Sequence, residues 1–235
     1  MLANPALASL KHVSVNVAVY RRLRDQIMRG DYAAGEVLGI QELADACGTS
    51  AMPVREALRR LAAQRAVEPM KSRSMRIPVM SRERLDDIRR ARVLIEGTVT
   101  AWAVEKITAD ELDELHRMAD DIGQLLAQPG SILEGLDYNQ RFHFSLYKAA
   151  RSDSMLATIE SLWLQSGPYL RAARLLMHSK ERPMVEFHAA IVEAIARRDA
   201  QQAQQALIRD ICWPFDKLWD TWPDFARDTA TTASL

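Results

Sequence analysis

The sequence has little cysteine, no long apolar run and no net charge over its 235 residues. Its two cysteines, Cys47 and Cys212, are isolated in different predicted helices, which argues against a disulfide framework or a cysteine-based zinc site and fits a reducing cytoplasm. No apolar run approaches the roughly 18 residues that a membrane span needs. The N-terminus lacks the charge cluster and continuous apolar stretch of a signal peptide. These absences predict a soluble, cytoplasmic protein with no membrane partner.

The zero net charge hides an uneven distribution along the chain. Residues 1–80 hold 12 basic and 7 acidic residues, whereas residues 81–235 hold 19 basic and 24 acidic ones. A basic N-terminal part joined to a mildly acidic C-terminal part suggests that contact with nucleic acid is confined to the first. We place the domain boundary at 79–81, because a different, helical pattern begins at Ser81, which gives an N-terminal domain at 1–79 and a C-terminal domain at 80–235.

The stretch from Gln41 to Leu61 has the pattern of two short helices around a tight turn. The predicted helices cover 41–47 and 51–64, with Gly48 suited to end the first and Ser50 to cap the second. Pro53 falls in the first turn of the second helix, where its missing N–H costs nothing. Apolar residues occupy one face of that helix and three arginines project from the others: Arg55, Arg59 and Arg60. This arrangement is typical of a DNA-reading helix-turn-helix.

Alternating apolar residues follow this motif. Two short segments between Val67 and Val79 flank a polar turn at 71–74, which predicts a β-hairpin of the kind called a wing. Lys71 and Arg73 lie at its tip, where they could meet the DNA backbone or minor groove; the alternative is a solvated turn that happens to be basic. The residues before the motif, 31–39, are predicted to form a loop.

From Ser81 to Trp222 the helical period dominates. We expect six or seven helices, with a capping box at Thr108–Glu111, a break at Gly167-Pro168 and a helix capped by Asp199. The fold class is therefore mainly α: an N-terminal winged helix-turn-helix with a small β-hairpin, and a C-terminal all-α antiparallel helical bundle.

The N-terminal part resembles the GntR winged-helix regulators. The resemblance is carried by IMRGDYAAGEVLGIQELADACGTSAMPVREALRRLAAQRAV, and it is closest in the segment PVREALRRL. The C-terminal part resembles the FCD effector domain of the FadR-type branch, through RVLIE at 92–96, NQRFHFSLY at 139–147 and SGPYLR at 166–171. The family usually has Arg-Thr where this chain has Ala51-Met52. The operator should therefore differ from those of relatives.

The resemblance and the helix chemistry together suggest DNA contacts. Ser50 and the N–H groups at the start of the second helix suit a phosphate, and Arg55 could bond O6 and N7 of a guanine. Met52 could offer only apolar contact, for example to a thymine methyl. The alternative for Arg55 is a salt bridge within the protein, to Glu42 or Glu56. The remaining candidates are Gln41, which matches a contacting position in relatives, Arg59 and Arg60 for the DNA backbone, and Arg73 in the wing.

A single domain of this kind buries too little surface to choose a genomic site alone. We therefore expect a homodimer on a palindromic double-stranded operator.

The resemblance also implies a metal site. In FCD domains with metal, an Asp or Asn and a His four residues later combine with two His residues from later helices. Asn139, His143 and His188 match the first three positions, and Asp210 stands where the fourth His is common. Asp is an acceptable zinc ligand, so an N₂O₂ zinc site could survive, or it could be weakened or lost. Each His read alone is more often a hydrogen-bonded core or surface residue.

The implied effector is a small organic acid. Arg92 is the leading candidate to bind its carboxylate, with Tyr169 and Arg171 as secondary ones. The alternative for Arg92 is a simple pair with Glu96, four residues later. The function predicted is that of a DNA-binding regulator, a repressor relieved by its effector. Two alternatives stay open: a helical metalloenzyme acting on a small carboxylate, and a DNA-binding protein without an effector.

Overall fold

The computed structural model describes residues 15–71, 74–125, 132–176 and 183–221. The candidate Arg73 lies outside them. Within these ranges the chain forms nine α-helices and three short strands, so the mainly α class predicted from the sequence is confirmed. The elements are α1 (Val15–Arg29), β1 (Val37–Leu38), α2 (Ile40–Ala46), α3 (Ala51–Ala63), β2 (Glu68–Pro69), β3 (Met75–Arg76), α4 (Arg82–Lys106), α5 (Ala109–Leu125), α6 (Ile132–Ala149), α7 (Asp153–Leu175), α8 (Pro183–Ala196) and α9 (Ala200–Asp220).

The helix-turn-helix is present as predicted. Gly48 ends the turn after α2 with φ +62°, a conformation in which a Cβ is strained. Leu58 and Leu61 of α3 are buried against α1, which contributes Leu23 and Ile27 to the same core. Because the apolar stripe of α3 is used in this packing, its remaining faces are left to project outward.

The wing contains one strand more than predicted. β3 pairs antiparallel with β2 and also with β1, in the sheet order β1-β3-β2. The prediction of a simple loop at 31–39 was therefore wrong. A strand of two residues shows no alternating pattern, and the pairing is fixed instead by long-range bonds, such as Gly35 N–H to the Ile77 carbonyl at 3.0 Å.

The helical part begins and ends its helices largely where the sequence predicted. Ser81 accepts from the backbone N–H of Arg84, Thr108 and Glu111 form the reciprocal capping box, and Asp199 accepts from the N–H of Gln202. α9 packs most extensively against α4 and α8. No described helix is both long and apolar enough to cross a membrane.

The predicted break at Gly167-Pro168 is absent. α7 continues through both residues, and both are buried. Pro168 removes one intrahelical hydrogen bond, to the carbonyl four residues earlier, and this local loss does not end the helix because its neighbours hold it on several sides. α1, α4, α6 and α9 all pack on α7.

Candidate functional site

The outer surface at the start of α3 carries the predicted base-reading residues. Ser50 occupies the N-cap position with extended backbone, and its side chain makes no capping bond. Met52 is 63% exposed and Arg55 is also exposed. Neither alternative partner binds Arg55: Glu56 is paired with Arg59 at 2.6 Å, and no ion pair joins Arg55 to Glu42 among the described residues. Within the described residues Arg55 therefore remains available at the protein surface.

The other two predicted DNA contacts have partners inside the protein. The guanidinium of Arg60 lies 3.8 Å from the centre of the Tyr20 ring, an arrangement that orients the charge by a cation–π contact. Gln41, at the start of α2, donates to Asp45 at 2.9 Å. Both side chains are exposed, so these contacts position them without removing them from the surface.

A small cavity lies inside the helical part. It encloses about 30 Å³, roughly the room of one or two water molecules. Five helices form its walls, and its polar lining includes the predicted residues Arg92, Asn139, His143 and Asp210. The other residues of the lining are Leu136, Leu170, Ala173, Arg174, Met184, Ile211, Trp213 and Pro214. Residues predicted from three separate segments of the sequence thus meet at one place.

His143, His188 and Asp210 form a group that could hold a metal ion. Their candidate ligand atoms lie within 4.8 Å of one another, and all three side chains are buried. His143 Nε2 is 2.9 Å from one oxygen of Asp210, and His188 Nε2 is 3.8 Å from the other. Asn139 precedes His143 by one turn of α6 and lines the same cavity. The set combines two nitrogen and two oxygen donors.

The surroundings of His188 fit a metal ligand. The side chain is fully buried, and neither ring nitrogen has a hydrogen-bond partner among the described residues. Phe142 stacks on the imidazole with ring centroids 4.1 Å apart. Burial lowers the pKa of His188 from 6.5 to about 4, so the ring is neutral and keeps a lone pair. A buried, unsatisfied polar group costs about 1–3 kcal/mol, which a bound ion would offset.

Asp210 is present as a charged carboxylate, the form that binds a metal ion. Burial by itself would raise the pKa of this carboxyl, but the adjacent His143 more than reverses the effect, with help from His188 and Arg92. The pKa therefore lies below its ordinary value, and the carboxylate is charged at neutral pH. A charged oxygen donor beside two imidazoles suits a divalent cation.

A second layer of buried residues, centred on Glu96, supports His143. Glu96 accepts two bonds from Arg92, at 2.7 and 3.1 Å, one from the Tyr147 hydroxyl at 2.5 Å and one from the Trp163 ring nitrogen at 3.1 Å. The Tyr147 oxygen also lies 3.2 Å from His143 Nδ1. Because Tyr147 donates its own proton to Glu96, its oxygen is left to accept from Nδ1–H. With an ion bound, that tautomer would present the Nε2 lone pair of His143 to the metal.

Tyr147 and Trp163 were not predicted from the sequence as supporting residues. Tyr147 stands four positions after His143, so the spacing could have indicated a shared helix face. Trp163 comes from another helix, and no local pattern connects it to Glu96.

Arg92 lines the cavity with its side chain held in one orientation by Glu96. Its side chain is buried and bound to Glu96 in a fork, which confirms the pairing considered as an alternative but places it in the interior. Burial lowers the pKa of Arg92, and the adjacent Glu96 outweighs that effect, so the pKa is raised overall. The remaining nitrogen, Nη1, has no partner among the described residues. Arg92 can therefore pair with Glu96 and contact a ligand in the cavity at the same time.

The two secondary effector candidates lie outside this cavity. Arg171 donates to the backbone carbonyls of Gly30 and Asp31, at 3.0 and 3.3 Å, and so contacts the end of α1. Tyr169 is buried near Arg84, and burial raises its pKa to about 12. Neither side chain lines the cavity that Arg92 lines, and Arg171 is directed to the N-terminal elements instead, so the structure does not bring these two candidates together with Arg92. The α7 residues that line the cavity are Leu170, Ala173 and Arg174, and none of them was predicted from the sequence as a site residue.

Comparison with known proteins agrees with this architecture. The FCD domain family matches residues 87–211, more than half of the chain, and the family of bacterial regulatory proteins called gntR matches residues 16–77. The HTH-type transcriptional regulator McbR of Escherichia coli K12 is 28% identical over 204 residues, covering 86% of this chain and 92% of that protein. The HTH-type transcriptional repressor GlaR of the same organism is 27% identical, covering 83% of this chain and 91% of its own length.

Solved structures show the same fold. The structure of E. coli McbR/YncC superposes with a TM-score of 0.83 at 25% identity, and it covers 90% of this chain and 100% of that one. A putative GntR regulator from Rhodococcus sp. RHA1 gives 0.72 at 19% identity, over 88% and 99% of the two chains. The family and these relatives are transcriptional regulators and not enzymes. The chain belongs to the GntR family of bacterial transcriptional regulators and carries an FCD domain.

Proposed function

We propose that this regulator is a repressor that binds a palindromic operator as a homodimer and is controlled by a small organic acid. The acid would bind in the cavity of the helical part, beside a divalent metal, with zinc as the leading candidate. The winged helix-turn-helix domain would occupy residues 1–79 and the effector and dimerisation domain residues 80–235. The carrying observation is the position of Arg92, which lines the same cavity as His143 and Asp210 and whose buried Nη1 has no hydrogen-bond partner among the described residues.

The donor set supports the metal part of this proposal. Asn139, His143, His188 and Asp210 would hold the ion, and the unsatisfied nitrogens of His188 are the feature hardest to explain without it. A bound divalent metal supplies positive charge and open coordination positions. The protein contributes a neutral His188, a charged Asp210 and a fixed His143 tautomer.

The charges around the cavity support an anionic ligand. Arg92 offers a donor already oriented by Glu96, so little side-chain freedom would be lost on binding. Arg174 adds a second guanidinium to the lining. Burial lowers the pKa of Arg174, and a carboxylate beside it would favour the charged form of this side chain.

The exposed residues of α3 support the DNA-binding part. Ser50, Met52 and Arg55 lie together at the N-terminal end of this helix, the end that reads base edges in helix-turn-helix proteins. The name of the relative GlaR identifies that protein as a repressor, which favours the same sign of control here.

The proposal is tested with the full chain in two steps. Bound sequences are first selected from a pool of random duplexes, and a palindromic consensus is expected. Citrate, gluconate and succinate are then titrated, with zinc present, against the protein bound to the selected duplex, and at least one acid should release it. Arg92→Lys should weaken release without changing the affinity for DNA in the absence of acid. Failure to select any sequence above the background of non-specific binding would refute the function.

A further inference from the structure

One helix of the cavity wall, α7, also contacts the DNA-binding part, and the two sets of contacts lie within two turns of each other. Leu170, Ala173 and Arg174 line the cavity. Gly167 and Arg171, on an adjacent face of the same helix, contact the end of α1. We propose that α7 is the coupling element through which an occupant of the cavity acts on the winged helix-turn-helix. The contact between Arg171, Gly167 and the end of α1 would be the point of transmission. This inference rests on the proposed function, since it assigns a route to that regulation.

The contact between α7 and α1 is a direct approach of two backbones. A Cβ placed on Gly167 would lie 1.8 Å from the Ile27 carbonyl oxygen, and one on Gly30 would lie 2.8 Å from the Gly167 oxygen. Gly30 also has φ +78°, which disfavours any side chain. No side chain separates the two helices here, so a shift of α7 must be followed by α1 or must break the contact.

Arg171 ties the same point with hydrogen bonds. Its Nη1 donates to the carbonyl oxygens of Gly30 and Asp31, which leave the C-terminal end of α1. A cation at that end is also favoured by the helix dipole. The side chain therefore holds the last turn of α1 on α7, and its loss would free these carbonyls.

The size of the cavity requires a wall to move. A volume of about 30 Å³ admits a metal or a water molecule, whereas sites for organic ligands commonly enclose about 300 Å³ or more. An organic acid therefore needs more room than the cavity offers, and movement of a lining helix would supply it. α9 packs extensively against α4 and α8, so we do not expect α9 to be the helix that moves.

α7 contains a weak point at the place where movement is needed. Pro168 removes a backbone hydrogen bond from the middle of the helix, and such positions are where helices bend. All three cavity residues of α7 come after Pro168, and so does Arg171. Displacement of residues 169–175 by a ligand would therefore carry Arg171 away from the end of α1.

α1 continues the path to the DNA surface. It packs along α3, and the Tyr20 hydroxyl donates to Gln64 at the end of α3 at 2.9 Å. Arg60 of α3 stacks on the ring of the same tyrosine. A change in the position of α1 on α7 would thus be transmitted to α3, the helix that carries Arg55.

Amide hydrogen exchange on the full chain tests this route without any knowledge of the natural ligand. The reporters are the N–H of Gly30, bound to the Ile27 carbonyl, and the N–H of Asp31, bound to the Gln26 carbonyl. Ala173→Phe substitutes for the effector, because its ring exceeds the free volume and must displace α7. Exchange at both reporters should rise about tenfold. Should Ala173→Phe not fold, Ala173→Leu provides the same test with less bulk.

Two further variants separate coupling from general loosening. Arg171→Ala should raise exchange at the same amides, and Ala173→Phe should add little on that background because both act on one contact. Arg24→Ala removes a more exposed ion pair between α1 and α7, that of Arg24 with Glu160 at 3.9 Å, and should leave the reporters unchanged.

Three results would overturn the proposal: unchanged reporters in a folded Ala173→Phe protein, a full additional effect in the double variant, or an equal rise in Arg24→Ala. The measurement requires neither DNA nor metal, so its outcome is independent of the selection experiment. A failed duplex selection with coupled amides would refute the function alone, and the reverse would refute the route alone.

Discussion

His188 Nε2 lies 3.8 Å from an oxygen of Asp210, in a place where neither nitrogen of the imidazole has a hydrogen-bond partner among the described residues. This distance is too long for a hydrogen bond, and it leaves a gap between the imidazole and the carboxylate. This relationship is the basis for expecting an ion between two imidazoles and one carboxylate.

Asp210→Ala should lower zinc affinity by about 10-fold or more, because it removes the charged donor of the set. Asp210→His should retain binding, since it restores the residue common in relatives at this position. Zinc affinity is measured by competition with a chromophoric chelator on protein without a histidine tag. His116→Ala, an exposed histidine of α5, is the matched control and should bind as the unaltered protein does. Equal affinity in the Asp210→Ala protein would exclude this residue as a ligand.

Tyr147→Phe should reduce zinc affinity by about 10- to 100-fold while the helical content stays unchanged. The hydroxyl joins Glu96 to His143 Nδ1, and without it the tautomer of His143 is no longer fixed. The control is Tyr138→Phe on the same helix, which removes an exposed bond to Asp121. If both variants bind zinc equally well, the support of His143 by Tyr147 has no role in metal binding.

Glu96 shows how much of this site the sequence could reveal. The spacing of Arg92 and Glu96 predicts their pairing, because i,i+4 residues share a helix face in any helix. That the pair is buried, and that it also accepts from Tyr147 and Trp163, depends on the packing of α6 and α7 against α4, which periodicity does not encode. The same limit explains β1 and the continuous α7. Long-range contacts decide both, whereas caps such as Asp199 are local and were predicted correctly.

Glu96→Gln should destabilise the protein by about 3–5 kcal/mol, because it leaves the guanidinium of Arg92 buried without a counter-charge. The free energy of unfolding is measured in urea at neutral pH. Glu114→Gln breaks an exposed pair with Arg117 and should cost less than about 1 kcal/mol. A loss of stability no greater than that of the control would contradict the role of Glu96 as the buried centre of the cluster.

Arg55→Ala should relax the preference at one base pair of each half-site, since a guanidinium bonded to both acceptors of a guanine discriminates by about 1–3 kcal/mol. Arg59→Ala is the matched comparison, one turn further along α3, and should weaken binding to all sequences by a similar factor. Arg59 is oriented by its pair with Glu56, and it lies at a position suited to the phosphate backbone. Sequence preference is measured by repeating the duplex selection with each variant. An unchanged consensus in the Arg55→Ala protein would remove the base-reading role and shift it to Met52 and the wing.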